Sequence, residues 1–274
     1  MTIFQSIFLG IIQGITEFLP ISSTGHLVLT PFLLGWKIPS DQAFVFDILV
    51  QVASLVAVIA YFWRDLTSIL RAMATGLWQR KPFADPQARL GWYIFLATLP
   101  AGWSGLALNG MLESIFGNPG ITALLLLITA LLLLIAERLG RRQRTLDRLN
   151  WKDALLIGFF QVLALFPGVS RSGATITGAM ARDLDRHAAA RFSFLMSVPI
   201  MLAAGLLATL DLLKIPGLSS FLPTFLPGFL ASALVGYLAI RWLLGYLASH
   251  PLYIFAFYCI ALSLLSLALL YFRG

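Results

Sequence analysis

Apolar residues run along this chain in long unbroken blocks rather than in the one-in-two alternation of a half-buried strand. Six blocks, at roughly 43–63, 91–110, 120–136, 191–213, 224–245 and 252–272, each predict a helix able to cross a hydrocarbon core, which takes about 20 residues at about 1.5 Å of rise each. Two further blocks, 3–35 and 154–181, have the length but are cut midway by Pro, Gly, Ser and a charge. Backbone freed at membrane depth has to be buried in protein, so these two predict broken helices that enter and return. The expected fold is an all-α polytopic integral membrane protein, a single membrane domain over 1–274, with six full transmembrane helices and two re-entrant broken-helix hairpins. No Lys or Arg precedes the first apolar stretch and no small-residue cleavage site follows it, so the first helix itself is read as the targeting signal.

Composition excludes a soluble domain. Of the 274 residues 59% are hydrophobic and 11% charged, with a mean hydropathy of +0.88, where soluble domains carry about 25% charge. With the two hairpins returning to the side they enter from, fifteen basic residues, from Arg64 to Arg241, fall on one face, while Lys37, Lys214 and Arg273 fall on the other. The positive-inside rule makes the first face cytoplasmic and puts both termini outside. That bias accounts for the net charge of +7 and a pI near 9.9, so no nucleic-acid partner is expected. The one cysteine, Cys259, lies in an apolar block and reads as a free core thiol, which rules out a disulfide framework.

Shifting the chain by 148 residues aligns "GIIQGITEFLPISSTG" (10–25) with "GFFQVLALFPGVSRSG" (158–173) without a gap. Gly10/Gly158, Gln13/Gln161, Phe18/Phe166, Ser22/Ser170 and Gly25/Gly173 coincide. Each copy contains one broken segment followed by three spans, so the copies enter from opposite faces. An inverted-topology repeat, 1–150 and 151–274, is therefore expected, with its site near the midplane where the interrupted helices meet.

The two breaks, "PISSTGH" and "PGVSRSGAT", put small hydroxyl residues and glycine where a helix restarts. Free backbone N–H groups and hydroxyls there suit phosphate oxygens, although Ser170, Ser172 and Thr175 taken singly also suit plain capping. Arg171 adds a guanidinium at bilayer depth, which marks a partner or a ligand and suits bidentate phosphate recognition. Glu17 follows Gln13 by one helical turn, so the two offer hard oxygen ligands to Mg²⁺ or Ca²⁺; equally, Glu17 can pair with Arg171. His26, beside Ser22, Ser23 and Thr24, points to acid–base or nucleophilic work. His187 and His250 read as surface residues, Asp47 as a supporting residue four positions before Gln51, and Asp153 as an interfacial or helix-dipole residue.

"QGITEFLPISSTGH" and "PGVSRSGATI" resemble the two signature segments of the bacterial undecaprenyl-diphosphate phosphatases, the bacitracin-resistance family, and the likeness extends through "RFSFLMSVP" at 191–199. The resemblance implies hydrolysis of the C55 isoprenoid diphosphate to the monophosphate carrier of cell-wall assembly in the bacterial inner membrane, and the positive-inside argument opens the site to the extracytoplasmic face. It implies catalytic roles for His26, Glu17, Arg171, Ser22 and Ser23, and substrate contacts from Thr24, Gly25, Ser170, Ser172, Gly173 and Thr175. It also implies a divalent cation of low specificity (Mg²⁺ or Ca²⁺) at Glu17 and Gln13; Gln13 is an amide where the family also accepts a carboxylate, so that cation would rest mainly on Glu17 and the diphosphate. The implied partners are a polyprenyl diphosphate lipid, bacitracin as a competitor that sequesters it, and a second copy in a homodimer. The competing class is a secondary transporter or flippase of an anionic or lipid-phosphate substrate, built on the same repeat. A phosphatidic-acid type phosphatase is set aside, since no histidine in the second half has an intramembrane Asp partner.

Overall fold

The computed structural model describes residues 1–212 and 218–273; Lys214 lies outside the described residues. Eleven α-helices follow one another: α1 (Ile3–Phe18), α2 (Ser23–Leu34), α3 (Ser40–Tyr61), α4 (Trp63–Trp78), α5 (Pro86–Ile115), α6 (Pro119–Leu139), α7 (Trp151–Leu163), α8 (Arg171–Met180), α9 (Arg186–Leu212), α10 (Leu218–Leu247) and α11 (Tyr253–Arg273). Caps written in the sequence start several of them. Thr2 with Gln5 and Asn150 with Asp153 form capping boxes ahead of α1 and α7, while Asp85 and Asn118 cap α5 and α6, each followed by Pro at the first helical position.

Both expected breaks are present. The first lies between Phe18 and Ser23, the second between Leu163 and Arg171. Each pair of half-helices returns to its starting side. The N-terminal amine before α1 donates to Gln42 in the first turn of α3, and Arg144, just ahead of α7, bridges to Leu184, just beyond α8. Asp153 at the mouth of the second hairpin is fully buried rather than interfacial, because Arg144 (2.6 Å) and Arg182 (2.6 Å) clamp its carboxylate. The hydrogen bond to Asp153 raises the Arg144 guanidinium further above its ordinary pKa.

Among the described residues five helices are long and apolar enough to cross a membrane: α3, α6, α9 over Arg186–Leu210, α10 over Phe221–Leu247, and α11. The chain is a multi-pass membrane protein. The apolar block at 91–110 falls in α5, which has 30 residues but is not among those five. One element had no counterpart in the apolar blocks: α4 is amphipathic, exposing Trp63, Leu70, Leu77 and Trp78 while burying Ile69 and Gly76. Alternating apolar and charged residues keep its average hydropathy low, so only its helical periodicity could have revealed it.

Small residues set the tightest packing. A Cβ on Gly10 would lie 2.2 Å from the Gly228 carbonyl oxygen of α10, and one on Gly158 would lie 2.5 Å from the Ala97 carbonyl oxygen of α5. The first half-helix of each hairpin is thereby pressed backbone-to-backbone against a long helix of the other half of the chain. Behind the breaks the core closes with Phe18, Phe62 and Phe194, whose rings meet edge-on or tilted.

Candidate functional site

The two breaks abut. Ser172 Oγ donates to the Leu19 carbonyl across 3.1 Å, and the Gly168 Cα lies 3.6 Å from where a Cβ on Gly25 would stand. Ser22 and Ser170, equivalent by the internal alignment, do the same local work: each caps the restarting half-helix through Oγ, to Gly25 N (3.2 Å) and Gly173 N (3.1 Å). Ser22 holds φ +70°, which costs a non-glycine residue strain that its surroundings have to sustain. Gly168 sits at φ +100°, with its carbonyl accepting from Thr129 Oγ1 (3.1 Å), and the same hydroxyl receives Ser170 N (2.8 Å). Thr129 thus braces the second turn from α6.

Glu17 is the hub. Its Oε1 accepts from Arg171 Nη2 at 2.5 Å, and its Oε2 accepts from Ser23 Oγ at 2.6 Å and Gln13 Nε2 at 2.9 Å. The pairing of Glu17 with Arg171 anticipated from sequence is therefore formed. Two atoms at this hub have no protein partner and no solvent contact: Arg171 Nη1, a donor, and Gln13 Oε1, an acceptor. Burying such groups costs free energy unless something binds them, so the site offers an anion donor and a hard oxygen ligand beside one carboxylate. Among the described residues no group of three or more His, Cys, Asp and Glu side chains is placed to hold a metal. Gln13 Oε1 and Glu17 still fit a cation that takes its remaining ligands from water and phosphate, as Mg²⁺ does.

His26 is buried and clamped at both nitrogens. Its Nδ1 lies 2.7 Å from the Ser22 carbonyl oxygen and its Nε2 lies 2.7 Å from the Tyr258 hydroxyl. A carbonyl oxygen only accepts, so Nδ1 carries the proton and Nε2 presents its lone pair. His26 is not hydrogen-bonded to Arg171, nor to the Ser22 or Ser23 hydroxyl. Thr175 turns its hydroxyl to Arg171 O (2.8 Å) and Ser193 Oγ (2.6 Å), Ser172 Oγ also lies 3.1 Å from Ser170 Oγ, and Thr24 is half-buried in the first turn of α2.

Sequence reasoning did not reach Ser54, which receives Gln13 Nε2 at 3.3 Å, nor Thr129, Ser193, Tyr258 or Met201, whose sulfur lies 3.2 Å from Arg171 Nη2. Each stands alone in an apolar helix; a single hydroxyl or thioether there carries no local signal. Asp47 is half-buried and hydrogen-bonds none of these residues; α3 contributes Ser54, two turns further on. His187 and His250 are exposed and Cys259 is buried and free, as expected. A cavity of about 380 Å³ lies away from this cluster, at the ends of α5 and α9 around Arg89, His187 and Arg191.

The profile of the family described as bacitracin resistance protein BacA matches residues 6–265. The chain is 42% identical to an undecaprenyl-diphosphatase of Thermomicrobium roseum over 97% of its length and 98% of that protein's. It is 42% identical to an undecaprenyl-diphosphatase of Moorella thermoacetica over the full length of both, and 44% identical to one of Chlorobium luteolum over 95% and 94%.

Proposed function

The chain belongs to the bacitracin resistance protein BacA family, and from that premise we propose that the cluster joining its two helix breaks is the site at which it hydrolyses undecaprenyl diphosphate to undecaprenyl phosphate and inorganic phosphate, recycling the lipid carrier for cell-wall synthesis. The observation that carries the assignment is the pair of orphaned buried atoms at the Glu17 hub: Arg171 Nη1 lacks an acceptor and Gln13 Oε1 lacks a donor or cation. A diphosphate with its cation supplies both.

In this reading Arg171 binds the terminal phosphate through Nη1 while Glu17 holds its Nη2, so the guanidinium is oriented before substrate arrives. The restarting ends of α2 and α8 add backbone N–H groups and the Ser172 and Thr24 positions around the same phosphate. Gln13 and Glu17 would hold the divalent cation, which would offset charge on the diphosphate oxygens. Ser23, held on the Glu17 carboxylate, or a water supplies the attacking oxygen, and His26 takes its proton at Nε2, because Nδ1 already donates to Ser22 O. A transporter needs only the anion contacts and gives the aimed lone pair of His26 no task.

The finer topology is supported by contacts at the two ends of the molecule. The N-terminal amine reaches Gln42, and Arg273 donates to the Phe32 carbonyl, so both termini share a side with the outer ends of the first hairpin. An even number of crossings between Phe32 and Arg273 follows, and α5 is the sixth. The matched close packing of Gly10 and Gly158 supports the inverted repeat. The charge bias then opens the first hairpin to the extracytoplasmic side.

The test is phosphate release from an isoprenoid diphosphate by the purified protein in detergent. Activity is expected to disappear with EDTA and to fall by about 10²–10⁴ in His26→Ala and by about 10²–10³ in Arg171→Ala. Full activity in both folded variants would remove this cluster as the site. Acid-stable phosphoserine after rapid quenching identifies Ser23 as the attacking group; no phosphoenzyme identifies water.

A further inference from the structure

Tyr258 is drawn into the site from the far end of the sequence, 232 residues from His26. Its ring lies parallel to the imidazole, 3° between planes with centroids 5.6 Å apart, and its hydroxyl sits 2.7 Å from Nε2. Since Ser22 O fixes the proton on Nδ1, Nε2 is the acceptor and the tyrosine hydroxyl donates. The imidazole is 5% exposed but Tyr258 is 43% exposed. The hydroxyl therefore occupies the one imidazole nitrogen free to accept, and it comes from a side chain far more exposed than the ring it holds. Helices α2 and α11 otherwise touch little, so the hydrogen bond is not a by-product of close helix packing.

We propose that Tyr258 is a positioning residue for the hydrolysis. Its hydroxyl holds the His26 ring with the Nε2 lone pair facing the side from which the diphosphate enters, and caps that lone pair until the substrate is seated. When the hydroxyl turns away, the lone pair faces the attacking oxygen with no rotation of the ring, because Ser22 O still holds Nδ1–H. This inference rests on the phosphatase reading of the site.

Tyr258→Phe tests it, since the variant deletes only the hydroxyl and keeps the ring. The expected kinetic result is a fall in kcat of about tenfold, the upper end of what one neutral hydrogen bond supplies, with KM within about twofold of the parent. A second readout needs no turnover: diethyl pyrocarbonate modification, followed at the His26 peptide by mass spectrometry in the substrate-free protein. With its cap removed, Nε2 should react about two- to tenfold faster, the range that the loss of one neutral hydrogen bond allows. Exposed His187 and His250 serve as internal references and should not change. Parent-like kcat together with an unchanged His26 modification rate overturns the proposal, as does a kcat loss matched by a lower melting temperature, which would make the contact merely structural. A parent protein that releases no phosphate from any isoprenoid diphosphate would instead overturn the function beneath it.

Discussion

At the scale of single residues, the site is organised around one carboxylate that serves three donors. Glu17→Ala would leave the half-buried Arg171 guanidinium without its carboxylate, a loss that mixes folding with function. Glu17→Gln is the cleaner change; it keeps the volume and one acceptor, and phosphate release is expected to drop by about 10² or more while a melting curve in detergent stays close to the parent. Arg171→Lys retains the charge but not the second nitrogen. Because Nη2 is spent on Glu17 and Nη1 is the free donor, one ammonium nitrogen cannot occupy both positions, and KM and kcat are both expected to worsen, by about tenfold or more in kcat/KM. Gln13→Glu puts a second carboxylate at the orphaned Oε1 position. The half-saturating concentration of Mg²⁺ or Ca²⁺ in the release assay should fall by roughly tenfold, since cation affinity follows ligand charge; an unchanged titration would move the cation away from this pair. His26, Glu17, Arg171 and the serines were all legible in the chain because polar residues inside apolar blocks are conspicuous. Which atom meets which was not: Glu17 and Arg171 are 154 residues apart, Gln13 and Ser54 41 apart.

At the scale of elements, the two hairpins were readable because a break needs Pro, Gly and Ser in a recognisable cluster, and capping is local chemistry. The brace on the second break was not readable, since it comes from Thr129 in another helix. That brace makes Gly168 the least replaceable glycine of the turn. Its φ of +100° disfavours any side chain, and a Cβ there would stand 2.3 Å from the Thr122 carbonyl oxygen. Gly168→Ala is expected to destabilise the fold by about 2 kcal/mol or more and to lower phosphate release along with it. Gly25→Ala meets the Ser22 side chain at 3.2 Å and the Gly168 Cα at 3.6 Å, with no positive φ to sustain, and should be milder in a side-by-side melting comparison. Helix α4 has no counterpart among the long apolar blocks because an amphipathic helix is apolar on one face only.

At the scale of the whole molecule, orientation can be tested directly. In a Cys259→Ala background, Lys37→Cys should react with a membrane-impermeant maleimide on intact cells, while Arg80→Cys should react only after permeabilisation. The reverse pattern would turn the site to the cytoplasm. The chain by itself determined that this is a helical membrane protein, where its helices break, which polar residues stand at those breaks and to which family it belongs. All of these are properties of composition, periodicity and contiguous motif, which need no knowledge of neighbours. Only the tertiary structure decided that Glu17 accepts from Arg171, Ser23 and Gln13 together, that His26 is left with Nε2 rather than Nδ1 as its acceptor nitrogen, and that the Tyr258 hydroxyl meets it there. Those facts depend on contacts between segments up to 232 residues apart. An apolar helix packing in lipid can place any one of many equivalent faces toward a partner, so the choice is made by shape complementarity across the whole bundle rather than by any local pattern.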